Sequence, residues 1–145
     1  MNFLSSLNIS GSGLTAQKMR MDIISQNIAN ADVTKTSAGG PYVRKMVVLR
    51  SMEGGSDFKS ALDQATAAKA TGVKVDKILE DSAPFVPVYD PNHPDANKDG
   101  YVMMPNVNTT QEMIDMLGAS RAYEANVTAF NAAKAMAMKA LEIGR

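Results

Sequence analysis

Asp95, Asn97, Asp99 and Gly100, in the run DANKDG, have the spacing of positions 1, 3, 5 and 6 of an EF-hand loop. In such a loop oxygen ligands gather around calcium and a glycine makes the sharp turn. The far end does not complete the set: position 12, which should supply a bidentate glutamate, is Asn106. Pro91, Pro94 and Pro105 stand where the flanking helices should be. Asp99-Gly100 is also a strong turn signal, because glycine takes positive φ readily and Asn and Asp side chains bond back to their own backbone. The pattern predicts a structural turn in preference to a cation site.

Other chemical signals are weaker. GSGLTA, residues 11–16, fits G-x-G-x-x-A, and Asp32 follows at the spacing of a ribose-binding acid. The preceding SSLNIS is too polar for a buried parallel strand, and no further βα units follow, so dinucleotide binding is not expected. His93 is the only imidazole, it sits between Asn92 and Pro94, and cysteine is absent. Thiol nucleophiles, disulfides and Cys-based or multi-histidine zinc sites are excluded. No carboxylate pair is flagged by spacing. No catalytic residue, cofactor or metal is therefore assigned, and the chain is expected not to be an enzyme. Arg44, Lys45 and Arg50 make YVRKMVVLR mildly basic, but 15 Lys+Arg balance 15 Asp+Glu, so nucleic acid is not an expected partner. No window has the apolar run of a membrane span. The N-terminus lacks the basic region and long apolar core of a Sec signal.

The elements that would position these residues are helical at both ends. Phe3, Leu7, Ser10, Leu14, Gln17, Met21, Ile24, Ile28 and Ala31 step by four and three, a heptad stripe with polar exceptions. The SGSG run at residues 10–13 weakens it, since each helical glycine costs about 1 kcal/mol against alanine. Residues 1–10 are read as a separate, frayed segment and Leu14 to Ala31 as firm helix. Asn27 and Asn30 have two readings. They end the helix near Ala31, or their amides satisfy backbone groups in a tightly packed assembly and fix register.

Toward the C-terminus, Asn108 or Thr109 serves as the cap, and Thr109 with Glu112 fits a capping box. Met113, Met116, Ser120, Tyr123, Val127, Phe130, Lys134, Ala137 and Leu141 form the second stripe. Between the helices, YVRKMVVLR and VKVDKIL read as strands, with FVPVY and YVMMP as shorter ones limited by proline. The small and polar residues at about 51–72 predict a mobile loop, with a helical turn from Phe58 to Ala68. The fold class is mainly α with a small β insert: an N-terminal helix unit 1–31, an insert 32–106 and a C-terminal helix unit 107–145. The pattern leaves open whether the two helices pair within one chain or between chains.

SGLTAQKMRMDIISQNIANADVT, with its N-I-A-N core at Asn27 to Asn30, and the C-terminal MIDMLGASRAYEANVTAFNAAKAMAMKALEIGR resemble the terminal segments of bacterial flagellar rod and hook proteins. GGPYVRK and VYDPNHPDANKDGYVMMPNVN narrow the resemblance to proximal rod subunits. That resemblance implies a structural protein of the basal-body rod, exported by the flagellar type III apparatus without a cleaved signal. It implies polymerisation into a helical tube through the terminal helices, with other copies, neighbouring rod subunits and the basal-body protein FliE as partners. The residues expected at subunit interfaces are Leu7, Leu14, Met21, Ile24, Asn27, Ile28, Asn30, Met113, Met116, Tyr123, Val127, Phe130 and Leu141. Stripes short of partners within the chain would be disordered in the monomer and fold on assembly. A cytosolic coiled-coil adaptor and an EF-hand-like calcium module are the alternatives. The first explains the insert less well, and the second lacks its terminal ligand.

Overall fold

Helix α1 spans Phe3–Ala29 without a break, in a computed structural model that describes residues 3–37, 39–52 and 72–143. Among the described residues the separate frayed segment expected for residues 1–10 does not form, because residues 3–10 are the first turns of α1. The reason is tertiary contact at the SGSG run. A Cβ on Gly13 would meet the Asn126 amide at 3.0 Å, so that glycine lets the second long helix approach. Ser12 Oγ donates to Ile9 O at 2.7 Å and accepts the Val73 N–H at 3.0 Å. Packing on two sides offsets the low helix propensity of the run. The helix stops two residues before the expected Ala31. Asn30 closes the last turn, its N–H and its Nδ2 both donating to Gln26 O, which satisfies a carbonyl that the helix end would otherwise leave open.

Two antiparallel strand pairs follow. Strand β1 (Lys45–Ser51) pairs with β2 (Val73–Glu80), from Lys45 opposite Glu80 to Ser51 opposite Val73. A shift between Val48 and Leu49 leaves Asp76 as an extra residue on β2, a bulge that increases local twist. Strand β3 (Val86–Tyr89) pairs with β4 (Tyr101–Met104), closed by Tyr89 opposite Tyr101 with ring centroids 5.3 Å apart. The two pairs are separate sheets. The loop and helical turn expected around Phe58 to Ala68 lie outside the described residues.

The DANKDG run makes the turn that the sequence predicts. Gly100 has φ +77°, its N–H donates to Asn97 O, and Asn97 N–H donates to Tyr101 O. Asp95 Oδ2 accepts from Thr34 Oγ1 at 2.8 Å, so this carboxylate ties the turn to the segment leaving α1.

Helix α2 spans Thr109–Ile143, about 52 Å at 1.5 Å per residue. Asn108 is its cap: Oδ1 accepts the N–H groups of Thr110 and Gln111 at 3.1 and 3.2 Å. The capping box expected between Thr109 and Glu112 is not made, because the Glu112 side chain turns inward and is 1% exposed.

α1 packs against α2 and also against β1 and β2. The long helices therefore pair within the chain, which corrects the expectation that their stripes lack internal partners. The buried apolar residues are mostly small: Ala16, Ile23, Ile24, Ala31, Val102, Ala119 and Ala133. Alanine at the contact lets two helix backbones come close. The result is the expected class, mainly helical with a small β insert.

Candidate functional site: the helix hairpin and its polar junction

Both long helices and the β1–β2 pair meet at one polar cluster. Asn27, near the end of α1, is 1% exposed. Its Nδ2 donates to Lys45 O at 2.8 Å and to Glu112 Oε2 at 3.0 Å. Its Oδ1 accepts from the Tyr42 hydroxyl and from Lys45 N–H, each at 2.9 Å. An amide has two donors and two acceptor lone pairs, and all four are used. By taking both backbone groups of Lys45, the side chain pairs with the first residue of β1 as a neighbouring strand would.

Glu112 comes from the first turn of α2. Its Oε1 accepts from Arg44, with Nε at 2.7 Å and Nη2 at 2.6 Å. The Arg44 fork also approaches Asp81 at 3.4 Å and Asp115 at 3.9 Å. Asn106 completes the cluster, accepting Arg44 N–H at 2.9 Å and donating to Ala83 O at 3.1 Å. A buried carboxylate is tolerated when it is paired and hydrogen-bonded, and Glu112 is both. Partial burial works against the Arg44 charge, but the hydrogen bond and attraction of Glu112, then those of Asp81, outweigh it and hold its pKa above the ordinary arginine value. Burial raises the Tyr42 pKa, and the nearby charges of Glu112 and Glu80 raise it further. The junction's polar groups bind one another, so its chemistry is that of a joint.

The residues expected at interfaces separate into three groups. Ile24 and Asn27 are buried inside the chain; Leu7, Leu14, Met21, Ile28, Asn30, Met116, Tyr123, Val127 and Phe130 are half-buried. Met113 and Leu141 are exposed, at 53% and 77%. Gly13 lies level with Asn126 and Asn27 with Glu112, a single antiparallel register that puts Phe3 level with Met136. Leu141 shares the helix face of Phe130 but lies beyond that level, where no described residue of α1 stands opposite. The solvent side of α2 carries further apolar residues that the heptad stripe did not include. Ile114, Leu117, Met136 and Met138 are each more than half exposed. Sequence reasoning also missed Tyr42, Arg44, Asp81 and Asn106 as junction residues, since nothing local to any of them marks its partner.

Comparison with known proteins assigns this architecture. Residues 7–35 match the family model described as "Flagella basal body rod protein", which covers most of α1, Asn27 included. Residues 98–143 match "Flagellar basal body rod FlgEFG protein C-terminal", which covers β4 and α2. The chain is 51% identical to the flagellar basal-body rod protein FlgC of Bacillus subtilis, with 97% of each chain covered. It is 43% identical to the FlgC of Borreliella burgdorferi over 99% of this chain and 98% of the other. It is 39% identical to the FlgC of Escherichia coli O6:H1 over the whole of both chains. With relatives this similar aligned from end to end, through both long helices and the insert between them, the chain belongs to the FlgC family of flagellar basal-body rod proteins.

Proposed function

We propose that the chain builds the proximal part of the rod, polymerising through its terminal helices into a helical tube with other copies and other rod subunits. FliE is among its basal-body partners. The chain leaves the cell interior through the flagellar type III apparatus, without a cleaved signal. Its role is mechanical and not catalytic, in keeping with a junction whose polar groups are engaged with one another.

The observation that carries this reading is the apolar solvent face of α2. Met113, Ile114 and Leu117 lie near one end and Met136 and Met138 near the other, all more than half exposed. Large apolar side chains grouped on an outer face mark an interaction surface. Two such groups at opposite ends of one stiff helix suit head-to-tail contacts that do not close, and such contacts generate filaments. The half-buried stripe residues supply the edges of the contact.

Leu117→Asp and Ile114→Asp test it. In the free subunit both positions face solvent, and surface changes of this kind usually shift stability within about 0.5 kcal/mol. In an assembled seam each would bury an unpaired carboxylate, at an effective penalty of several kcal/mol per subunit. Secretion should persist while rod assembly and motility fail. Rods assembled as well as those of the parent would show that this face is not the polymerising surface. Val127→Asp would not discriminate, because Val127 is half-buried within the hairpin.

A further inference from the structure

The β1–β2 sheet is fastened to α1 at both of its ends. At one end Asn27 holds the N–H and the carbonyl of Lys45. At the other, Ser12 Oγ accepts the Val73 N–H at 3.0 Å, and Gly72 packs against Ser12 with no room for a Cβ. The spacing of the two fastenings fits the elements between them. Ser12 and Asn27 are about 22 Å apart along α1 at 1.5 Å per residue. Lys45 and Ser51 are about 20 Å apart along β1 at 3.3 Å per residue. Arg44 then carries the first fastening across to α2 through Glu112 and to the end of β2 through Asp81.

We propose that the Asn27–Glu112–Arg44 junction, together with Ser12, is a two-point clamp that makes the helix hairpin and the β1–β2 sheet one stiff body with no hinge between them. Asn27 has no spare hydrogen-bonding capacity, so swinging the sheet off α1 breaks its bonds to Lys45 and Tyr42 together. A swing that carried Arg44 away would also strand the Glu112 charge in a buried position. Asn27 and Ser12 are positioning residues in this account. The value of stiffness to a rotating shaft rests on the rod reading above; the clamp itself does not, and it can be measured on the isolated chain.

The chain has no cysteine, so spin labels can be placed at Lys77→Cys on β2 and Arg121→Cys on the exposed side of α2, and nowhere else. Pulsed electron–electron resonance on the dilute full-length chain then gives the distance distribution between sheet and hairpin. The parent should show one narrow distance. Asn27→Ala should widen it at least two-fold at unchanged helical circular dichroism, and Asn27→Ala with Ser12→Ala should add a second, longer distance. Thr128→Ala, on the outer side of α2, should leave the width as it is. If Asn27→Ala loses helicity, Tyr42→Phe and Glu112→Gln decide, because both keep side-chain shape while removing one hydrogen bond or one charge. Widening in either supports the clamp. A width unchanged in every folded variant overturns it and leaves membership of the rod family untouched.

Discussion

Gly11 and Gly13 are two residues apart on α1, and the structure predicts opposite consequences for replacing them with alanine. At Gly11 a Cβ would meet nothing within 4 Å; at Gly13 it would meet the Oδ1, Nδ2 and Cγ of Asn126 between 3.0 and 3.2 Å. Neither residue is among the glycines with positive φ, so alanine is conformationally acceptable at both. Gly11→Ala should therefore gain the full helix-propensity difference, about 0.8–1.0 kcal/mol, much of it through a less flexible unfolded chain. At Gly13 that gain is opposed, because the Asn126 amide must shift and weaken its 2.9 Å bond to Ala122 O. Gly13→Ala should end below Gly11→Ala by at least about 1 kcal/mol, within the usual cost of overpacking. Gly118 in α2 also faces open space. It is remote from Gly11, so the double variant Gly11→Ala/Gly118→Ala should gain about 2 kcal/mol, close to additively. For a chain of this size that raises Tm by roughly 4–8 °C. Urea and thermal unfolding followed by circular dichroism at 222 nm give the comparison. Equal stabilities for Gly11→Ala and Gly13→Ala would refute the close approach of α2 at Gly13. A loss at Gly11 would refute a continuous α1 through residues 10–13.

Two further outcomes follow from single contacts. Asn108→Ala should cost about 1 kcal/mol as the loss of an N-cap, while Thr109→Ala should stay within about 0.5 kcal/mol; denaturant midpoints distinguish this from the capping box that the sequence predicts. The Tyr42 pKa is raised above the ordinary tyrosine value, first by burial and then by Glu112 and Glu80. The folded chain thus keeps a proton that the unfolded chain loses first. The contribution is complete below the unfolded pKa and is lost as pH rises through the folded one. In that alkaline window stability should fall more steeply in the parent than in Tyr42→Phe, by up to about 1.4 kcal/mol per pH unit, and parallel urea midpoints above pH 10 would contradict it.

What the sequence made legible was whatever repeats at short range. The stripes stepping by three and four gave both helices, a run rich in β-branched residues gave β1, alternation gave β2, and Asp99-Gly100 gave the turn before β4. The junction was not legible because its bonds join residues far apart in the chain. Asn27 and Glu112 are 85 positions apart, and Arg44 and Glu112 are 68. Within its own neighbourhood Glu112 had only one visible use, the capping box. Asn27 was readable as a helix stop or as a register-fixing amide. The second reading comes closer, except that its partners lie in the same chain. SGSG misled for a related reason, since propensity counts the cost of glycine locally and the compensating contacts come from Val73 and Asn126.

The second stripe shows the limit of periodicity itself. On α2, Met113, Ile114, Met116 and Leu117 fall within five consecutive positions, more than one helix face can hold. Period alone cannot say which of them turns toward α1. Burial of Glu112, Ala119 and Ala133 fixes the inner face, and only then do Ile114 and Leu117 stand out as belonging to another surface. A helix with apolar residues on more than one face is suited to partners on more than one side. In this chain α1 accounts for one side, and the exposed Ile114, Leu117 and Met136 are the surplus over what the fold of a single subunit requires.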